Sequence, residues 1–168
     1  FLIMKKLIFL LTIMISISCA NPEENKAVDA DKLETDLIQM SEDFQYAYVK
    51  SDWETASQWI SSDMGSTIYN SNGSELMNLT EEDVNISRPW ELEDFKMINF
   101  KVSVSSDQKT AIVTFDANGI IDYNDEMKED IGYATRASQT WVNENGEWKV
   151  MHSHWSPRTN SQGIPQQD

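Results

Sequence analysis

The sequence predicts a single α+β domain in which helices come first and an antiparallel sheet follows. Apolar residues recur at helical spacing at Leu33, Leu37, Met40, Phe44 and Tyr48, as on one face of an amphipathic helix. From Phe95 onward the period changes to two, which is typical of half-buried strands. A turn sequence at residues 143–146 then joins two alternating segments, as in a β-hairpin. A chain of 168 residues suits one such domain with appendages.

The N-terminus has the three-part form of a secretory leader. Lys5 and Lys6 precede an apolar run that extends to residue 17, and small residues follow around Cys19. This end, Ser-Ile-Ser-Cys, resembles the cleavage box of bacterial lipoproteins, although serine stands where leucine is commonest. In those proteins the cysteine becomes the lipid-modified first residue. The alternative is an uncleaved anchor helix, but the apolar run is shorter than the roughly 20 residues that a bilayer span needs.

We therefore expect residues 1–19 to be a lipoprotein signal peptide that ends at Cys19, the lipidated residue. The protein would then be anchored to a membrane of the bacterial cell envelope, facing the periplasm or the outside. Residues 20–30 combine Pro22 with charged residues and no apolar period, which predicts a flexible tether. Cys19 is the only cysteine, so we expect no intramolecular disulfide in the mature domain, although export would permit one.

The chain is strongly acidic, with a formal net charge of −15. A leader containing Lys5 and Lys6 takes two of the 13 basic residues with it, which leaves 11 against 28 acidic residues and a mature charge of −17. Nucleic acid and anionic membrane surfaces are therefore poor partners. The simplest interpretation of the charge is solubility.

Two helices are predicted at the start of the domain. Asp31 and Glu34 resemble a capping box that opens a first helix of about 20 residues. Ser51 and Glu54 repeat the pattern and predict a short second helix. One face of this second helix would carry Trp53, Ala56 and Ile60.

A less regular region follows the helices. Residues 65–69 predict a short strand, and Asn-Ser-Asn-Gly at residues 70–73 predicts a turn. Thr80 and the three acids after it predict a third helix that runs toward Ser87 and is stopped by Pro89.

The sheet is predicted to continue with long strands. The first would bury Ile98, Phe100, Val102 and Val104, and the second would bury Ala111, Val113, Phe115 and Ala117. Gly119 predicts a bulge that bends the second strand. Residues 124–126 would turn the chain into a strand over residues 131–142. Residues 157–168 are polar and predict a mobile tail.

The terminal hairpin carries both histidines of the chain. Strict alternation would place Trp148, Val150, His152, His154 and Ser156 on one face. A three-residue loop ending at Gly146 would pair Val142 with Trp148, Thr140 with Val150, Ser138 with His152, and Arg136 with His154. A two-residue Asn145-Gly146 turn would instead pair odd-numbered residues with the histidines, because a one-residue slip changes the face. We favour the three-residue loop because it brings Val142 against Trp148.

This hairpin pattern resembles a known group of proteins. Arg136-x-Ser138-x-Thr140-x-Val142, followed by Gly146-x-Trp148-Lys149-Val150-x-His152-x-His154-x-Ser156, resembles the SnoaL-like families of the nuclear transport factor two-like superfamily. The resemblance covers residues 31–156. It implies a cone-shaped domain with a strongly bent antiparallel sheet wrapped by N-terminal helices and a pocket on the concave face. It also implies a homodimer through the sheet, as in many relatives. The superfamily includes isomerases, dehydratases, cyclases and binding modules, so the resemblance predicts no substrate.

The hairpin also supplies the candidate site. A histidine exchanges a proton near neutral pH, so His152 and His154 are the candidate catalytic residues. Arg136 would hold a carboxylate or an oxyanion through its fork of donors, with Ser138 beside it. The other candidate ligand-binding residues are Thr140, Trp148, Tyr46 and Trp59, although aromatic residues at helical spacing are more often part of the core.

Several alternatives stay open. Arg136 would pair with a buried acid such as Asp116 if the cluster were purely structural. A metal site would need a third ligand beyond His152 and His154, and none is indicated, so we expect neither a metal nor a cofactor. The first functional hypothesis is a module that binds a small ligand or a partner segment. The second is an isomerase, dehydratase or cyclase that uses both histidines and Arg136. The third is a structural subunit of an envelope complex.

Overall fold

The computed structural model describes residues 29–123, 125 and 127–165 of the protein. Contacts divide the chain into two units, Phe1–Ala30 and Asp31–Asp168, and every described strand belongs to the second unit. The predicted leader, Cys19 and nearly all of the predicted tether lie outside the described residues. None of the helices in the described part is both long and apolar enough to cross a membrane.

The described fold consists of three α-helices and six strands. The helices are α1 (Ala30–Val49), α2 (Trp53–Ala56) and α3 (Glu81–Val84), and a 3-10 turn at Ser57–Trp59 follows α2. The strands are β1 (Thr67–Tyr69), β2 (Met77–Asn78), β3 (Glu91–Val104), β4 (Thr110–Asp122), β5 (Ile131–Glu144) and β6 (Glu147–Pro157). They form one sheet in the order β2-β1-β6-β5-β4-β3, in which only β1 and β6 run parallel. The predicted α+β fold class is confirmed.

The first two helices follow the predicted pattern with one change at a cap. α1 has the predicted length of 20 residues, and its buried apolar side chains include Leu33, Leu37 and Phe44. The N-cap of α2 is Asp52 and not Ser51, because Asp52 Oδ1 accepts the amide of Thr55 at 3.1 Å. Ser51 instead has a left-handed φ of 57°. It therefore makes the turn between the helices.

The strand and the helix predicted between α2 and β3 are shorter in the structure than the sequence predicts. β1 begins at Thr67 and not at residue 65, and the two-residue strand β2 has no periodic pattern from which it could be predicted. α3 begins at a reciprocal capping box between Thr80 and Asp83. It ends at Val84, so the helix predicted to run toward Ser87 has a single turn.

The buried face of β3 is out of phase with the prediction at its start. Phe95 and Met97 are buried, whereas Ile98 is 40% exposed. The register against β4 shifts twice, and Asp94 (φ 46°) and Asn99 (φ 60°) lie at the two shifts in left-handed conformation. Each bulge inserts residues that have no partner and so changes which residues face the core. The predicted apolar face is therefore wrong before the second bulge. Beyond it Phe100 and Val102 are half-buried, whereas Val104 is 37% exposed.

Strand β4 keeps one phase throughout. It buries the predicted residues Ala111, Val113, Phe115 and Ala117, which confirms that face. The register against β5 is uninterrupted through Gly119, so the bulge predicted at this glycine is wrong. The bulge lies on the facing strand β3, and a Cβ added to Gly119 would lie 2.9 Å from the carbonyl oxygen of Glu93. The glycine leaves room for the bulged neighbour.

The terminal hairpin has a two-residue turn. Glu144 pairs with Glu147, and the turn residues Asn145 (φ 56°) and Gly146 (φ 97°) both have the left-handed backbone that a type I′ turn requires. The favoured three-residue loop is therefore wrong. In the observed register Trp148 lies opposite Asn143, and not opposite Val142 as predicted.

A bulge in β6 then restores even-numbered partners for the histidines. Trp141 pairs with Val150, but Thr140 pairs with His152, so Met151 is an extra residue in β6. Beyond the bulge, His154 lies opposite Ser138 and not opposite Arg136 as predicted; Arg136 pairs with Ser156. A bulge interrupts the alternation of a strand. The single face predicted for Trp148, Val150 and both histidines is wrong for this reason.

The face of the sheet toward α1 is termed the inner face, and the opposite one the outer face. On the inner face the Phe44 ring meets the edge of Trp141 at 6.4 Å, and Gln139 Nε2 donates to Gln45 Oε1 at 3.5 Å. The buried residues of β5 and β6 on this face are Tyr133, Thr135, Ala137, Gln139, Trp141, Trp148, Val150, Ser153 and Trp155. The core therefore lies between α1 and the sheet.

The C-terminal segment, residues 158–165, packs on the domain. The amide of Arg158 donates to the carbonyl of Ala134 at 3.0 Å, and the amide of Ile164 donates to Ser71 Oγ at 3.0 Å. The predicted mobile tail is therefore wrong for this segment. Its composition is misleading because main-chain hydrogen bonds, more than apolar side chains, hold it in place. Residues 166–168 lie outside the described residues.

Candidate functional site

A cavity of about 350 Å³ lies on the inner face of the sheet. The end of α1, the β1–β2 loop, the α3–β3 loop, the three strands β3, β5 and β6, and the C-terminal segment contribute to its wall. Its larger side chains are mainly aromatic or apolar and include Tyr48, Trp90, Phe95, Tyr133, Trp155 and Ile164. Binding sites for small molecules typically begin at about 300 Å³ and have such walls. This inner cavity is therefore large enough for a small organic molecule.

One cation lies in this mostly apolar wall. Arg88 comes from the loop between α3 and β3, and its guanidinium carbon lies 5.6 Å from the ring centroids of both Tyr48 and Trp90. Arg88 Nη1 also donates to Ser51 Oγ at 3.4 Å. Contacts of this kind between arginine and aromatic rings are attractive. They hold the guanidinium at a defined place in the wall.

Two phenol groups in the wall stay protonated. Burial raises the pKa of Tyr133 to about 12, although hydrogen bonds with Thr135 and Ser71 act in the opposite direction. Burial also raises the pKa of Tyr48, against the lowering effect of the Arg88 charge and of a hydrogen bond with Asn70. Because burial disfavours the phenolate, both groups offer neutral hydroxyls at neutral pH.

Buried polar atoms near the cavity have no hydrogen-bond partner among the described residues. They include Trp155 Nε1, Gln139 Oε1 and Ser153 Oγ. Trp155 lines the cavity, and so does Gln45, which binds Gln139. A buried group without a partner costs about 1–3 kcal/mol.

The predicted hairpin site is assembled on the other side of the sheet. Arg136, Ser138 and His154 share a shallow groove on the outer face, termed the outer groove, with Asn99, Lys101 and Ser156 among its other residues. Arg136 Nε donates to Ser156 Oγ at 3.1 Å. The prediction that these residues face the concave pocket is wrong. Strand β5 buries its odd-numbered residues, so Arg136 and Ser138 face outward, and the Met151 bulge turns His154 of β6 to the same side.

His152 lies beside the outer groove. Thr140 is its cross-strand partner, Thr67 Oγ1 lies 2.9 Å from its Nδ1, and the Tyr69 ring meets it edge on at 5.8 Å. Burial, and secondarily the neighbouring His154, lower the pKa of His152 below 6.5. Among the described residues no three side chains of histidine, cysteine, aspartate or glutamate come together as metal ligands would.

The alternative partner predicted for Arg136 is engaged elsewhere. Asp116 lies directly opposite Arg136 in the β4–β5 ladder. Its Oδ2 nevertheless accepts from Asn99 Nδ2 at 2.9 Å and lies 3.6 Å from Arg158 Nη1. The Arg136–Asp116 pair expected for a structural cluster is therefore absent from the ion pairs of the described residues.

The three aromatic candidates are dispersed. Tyr46 donates to the carbonyl of Phe95 at 3.3 Å and lines a second groove that adjoins the inner cavity. Trp59 packs on Trp141 at 6.2 Å, and Trp148 is buried in the core. Neither Trp59 nor Trp148 is among the described residues that line the cavity.

The sequence pattern does not indicate most of the residues that line the cavity. Arg88 and Trp90 lie in a loop without periodicity, and Ile164 belongs to the segment predicted to be mobile. One signal is present: an arginine and a tryptophan flank Pro89 in an otherwise acidic region. The alternation of β6 predicts the wrong face for Trp155 because of the bulge.

No protein-family model matches the sequence, and no curated protein sequence matches it. Solved structures do. An NTF2-like superfamily protein from Salmonella enterica serovar Typhimurium has a TM-score of 0.62 and 14% identity, over 79% of this chain and 96% of that one. A candidate dehydratase of the NTF2-like family from Streptomyces avermitilis has a TM-score of 0.61 and 19% identity, over 77% of this chain and 99% of that one.

A third similar structure is an assembly module. The association domain of CaMKII from C. elegans has a TM-score of 0.59 and 17% identity, over 75% of this chain and 96% of that one. Together these likenesses show that the chain has the cone-shaped NTF2-like fold. At such low identities they show the fold alone, because proteins with one fold carry out many functions.

Proposed function

We propose that the protein is a binding module that holds a small ligand in the inner cavity. The observation that carries the proposal is a cavity of about 350 Å³ with an aromatic wall that includes one cationic side chain, Arg88. An apolar pocket with a few directed polar groups is the usual form of a small-molecule site.

The competing proposal is an isomerase, dehydratase or cyclase, and it receives less support. Acid–base catalysis needs a group that titrates near neutral pH within hydrogen-bond reach of the substrate. None of the described residues that line the inner cavity is a histidine. Catalysis by His152 and His154 with Arg136 would take place at the outer groove, on the face opposite the inner cavity.

The location of the protein belongs to the same proposal. Lipid on Cys19 would attach the binding domain to a membrane of the bacterial cell envelope, as the leader-like N-terminus indicates. Replacing Cys19 with alanine should then release the protein from membranes into the soluble fraction. Unchanged membrane retention of Cys19→Ala would contradict lipidation at this residue.

Dimerisation through the outer face is a further part of the proposal. Ile112 on this face is 46% exposed and Ile120 is 37% exposed, and exposed apolar side chains on one sheet face favour association. The similarity to an association domain is consistent with assembly. Sedimentation velocity should give a dimer for the wild type and more monomer for Ile112→Lys. A monomeric wild type would contradict this part.

The binding proposal is tested by obstructing each site in turn. Val49, at the end of α1, lines the inner cavity, so Val49→Phe should add a ring to it. Ser138 lines the outer groove, so Ser138→Phe is the matched control. In native mass spectra of protein purified gently from its host, we expect a bound small molecule on the wild type and on Ser138→Phe, and none on a folded Val49→Phe. A ligand lost only from Ser138→Phe would place binding in the outer groove instead.

A further inference from the structure

We propose that the ligand of the inner cavity is a small organic anion, a carboxylate with an aromatic or aliphatic body, and that Arg88 binds its charged end. This inference rests on the proposed function, since it names the class of ligand for the same cavity. It follows from the position of Arg88 and from the absence of an ion pair to its guanidinium among the described residues.

The position of Arg88 is fixed before any ligand binds. Its guanidinium lies 5.6 Å from the centroids of two rings, Tyr48 on α1 and Trp90 at the start of β3. Both rings line the inner cavity together with Arg88. A planar guanidinium held in this way keeps N–H donors for a carboxylate, which it binds through two parallel hydrogen bonds.

Arg88 also has no ionic partner in the described structure. None of the carboxylates that the structure describes lies within 4.0 Å of its guanidinium nitrogens. Asp83 lines the same cavity, but Asp83 Oδ2 accepts from the amide and the hydroxyl of Thr80, at 3.0 and 2.7 Å, in the cap of α3. The charge of Asp83 still acts on Tyr48, but no direct ion pair neutralises Arg88 among the described residues.

Besides Arg88, the wall offers a second donor for an anionic ligand, although its other polar groups include acceptors such as Asp83 and Asn70. This donor is the hydroxyl of Tyr48, since burial raises its pKa and keeps it protonated. The apolar remainder of the wall, at Phe95, Trp155 and Ile164, would contact the body of the ligand.

The competing explanation is that Arg88 only fastens its loop to α1 through the two rings. Under that explanation the charge of a ligand would be irrelevant to its affinity. A pair of probes that differ only in charge separates the two cases. We choose 2-naphthylacetate and its neutral amide, 2-naphthylacetamide, because the two have nearly the same shape.

The experiment is isothermal titration calorimetry of both probes against the full chain and two variants. Arg88→Gln removes the wall cation, and Lys101→Gln makes the same change of net charge in the outer groove. We expect the wild type and Lys101→Gln to bind the acid about tenfold more tightly than the amide, as hydrogen bonds to a charged group allow. Arg88→Gln should lose that preference while its affinity for the amide changes little.

The other outcomes separate failure of this inference from failure of the proposed function. If neither probe binds the wild type up to its solubility limit, binding in the inner cavity is itself contradicted. If both bind the wild type equally, or if Arg88→Gln keeps the preference, only the assignment of an anionic ligand is overturned. If Arg88→Gln does not fold, the preference of the wild type is measured against added salt instead: it should weaken as salt screens the charge, and a constant preference would overturn the inference.

Discussion

The two faces of the same strands β5 and β6 differ in what they offer to a ligand. The inner face encloses a cavity with aromatic walls that include the cation of Arg88. The outer face presents Arg136, Ser138 and His154 in a shallow groove. The residues with the more familiar chemistry therefore lie on the less enclosed face, and enclosure is what a small ligand needs for affinity.

A single residue decides which side chains of β6 lie on each face. Met151 is the extra residue that changes the alternation of β6, so that Val150 and Trp155 share the inner face although their numbers differ in parity. Without the bulge, either Val150 or Trp155 would have to face outward. The inner position of Trp155 and the outer position of His154 thus depend on the bulge.

The largest effect is expected from deleting Met151, because this deletion would exchange the residues of β6 between the inner and the outer face. A continuous ladder would turn the part of β6 beyond residue 151 over, which exposes Trp155 and buries His154. Burying an unpaired polar group and losing a core aromatic together cost more than about 4 kcal/mol. We expect loss of the cooperative urea unfolding transition, measured by circular dichroism.

The control keeps the number of residues. Met151→Ala retains the bulge and removes only part of a half-buried side chain, so its loss of stability should stay within about 1–2 kcal/mol. A deletion variant as stable as Met151→Ala would show that the bulge does not set the faces.

The next effect compares one core residue with one exposed residue of the neighbouring strand. Trp141 on the inner face is fully buried and contacts Phe44 and Trp59, so Trp141→Ala should cost about 3–5 kcal/mol of unfolding free energy. Ile112 on the outer face of β4 is exposed, and Ile112→Ala should cost less than about 1 kcal/mol. Equal losses in urea titrations at a fixed protein concentration would contradict the assignment of the core.

A smaller effect sharpens the role of the indole donor. Trp155→Phe removes the N–H that has no partner among the described residues. Removing this unpaired group stabilises the fold and so offsets part of the stability that is lost with the smaller side chain. Affinity for 2-naphthylacetate should fall about tenfold if the N–H donates to the ligand. Trp148→Phe is the matched control, since Trp148 is buried but outside the cavity lining. Equal affinities of both variants in calorimetry would exclude a ligand contact of Trp155 Nε1.

The smallest effect concerns the pH dependence of stability on the outer face. The pKa of His152 is lowered by burial and by His154, so below pH 6.5 the unfolded chain binds more protons than the folded chain. Stability from this residue is therefore complete above about pH 6.5 and is lost as the pH falls through the folded-state pKa. His152→Gln should lose less stability than the wild type between about pH 7.5 and 5.5, measured by urea midpoints. A larger loss of stability in the variant than in the wild type would contradict a lowered pKa of His152 in the folded state.

The sequence predicts the parts of the fold that have uninterrupted periodicity. The helical spacing of Leu33, Leu37 and Phe44 gives α1 its length and buried face, and the strict alternation of β4 gives that strand its core residues. β3 and β6 could not be assigned in this way, because bulges depend on how neighbouring strands twist and fit together. Nothing in the sequence marks Asp94 and Asn99 as bulge residues, and only the structure shows their left-handed backbone.

The sequence predicts that a pocket exists, but it does not predict which residues form its wall. The hairpin motif indicates a cone with a pocket on the concave face, and such a cavity is present. Its wall, however, depends on Arg88 in an irregular loop and on Ile164 in a polar segment. Neither residue belongs to a periodic pattern, and only the folded chain brings them against Tyr48 and Trp155.

The central claim is that the ligand binds on the inner face, and nuclear magnetic resonance tests it most directly. The experiment is a titration of the labelled protein with 2-naphthylacetate that follows the indole N–H resonances of Trp90 and Trp155 and the ring protons of His152 and His154. The account predicts that the two indole resonances move with the ligand while the histidine resonances stay in place. Movement of the histidine resonances with unchanged Trp90 and Trp155 would place binding on the outer face and contradict it.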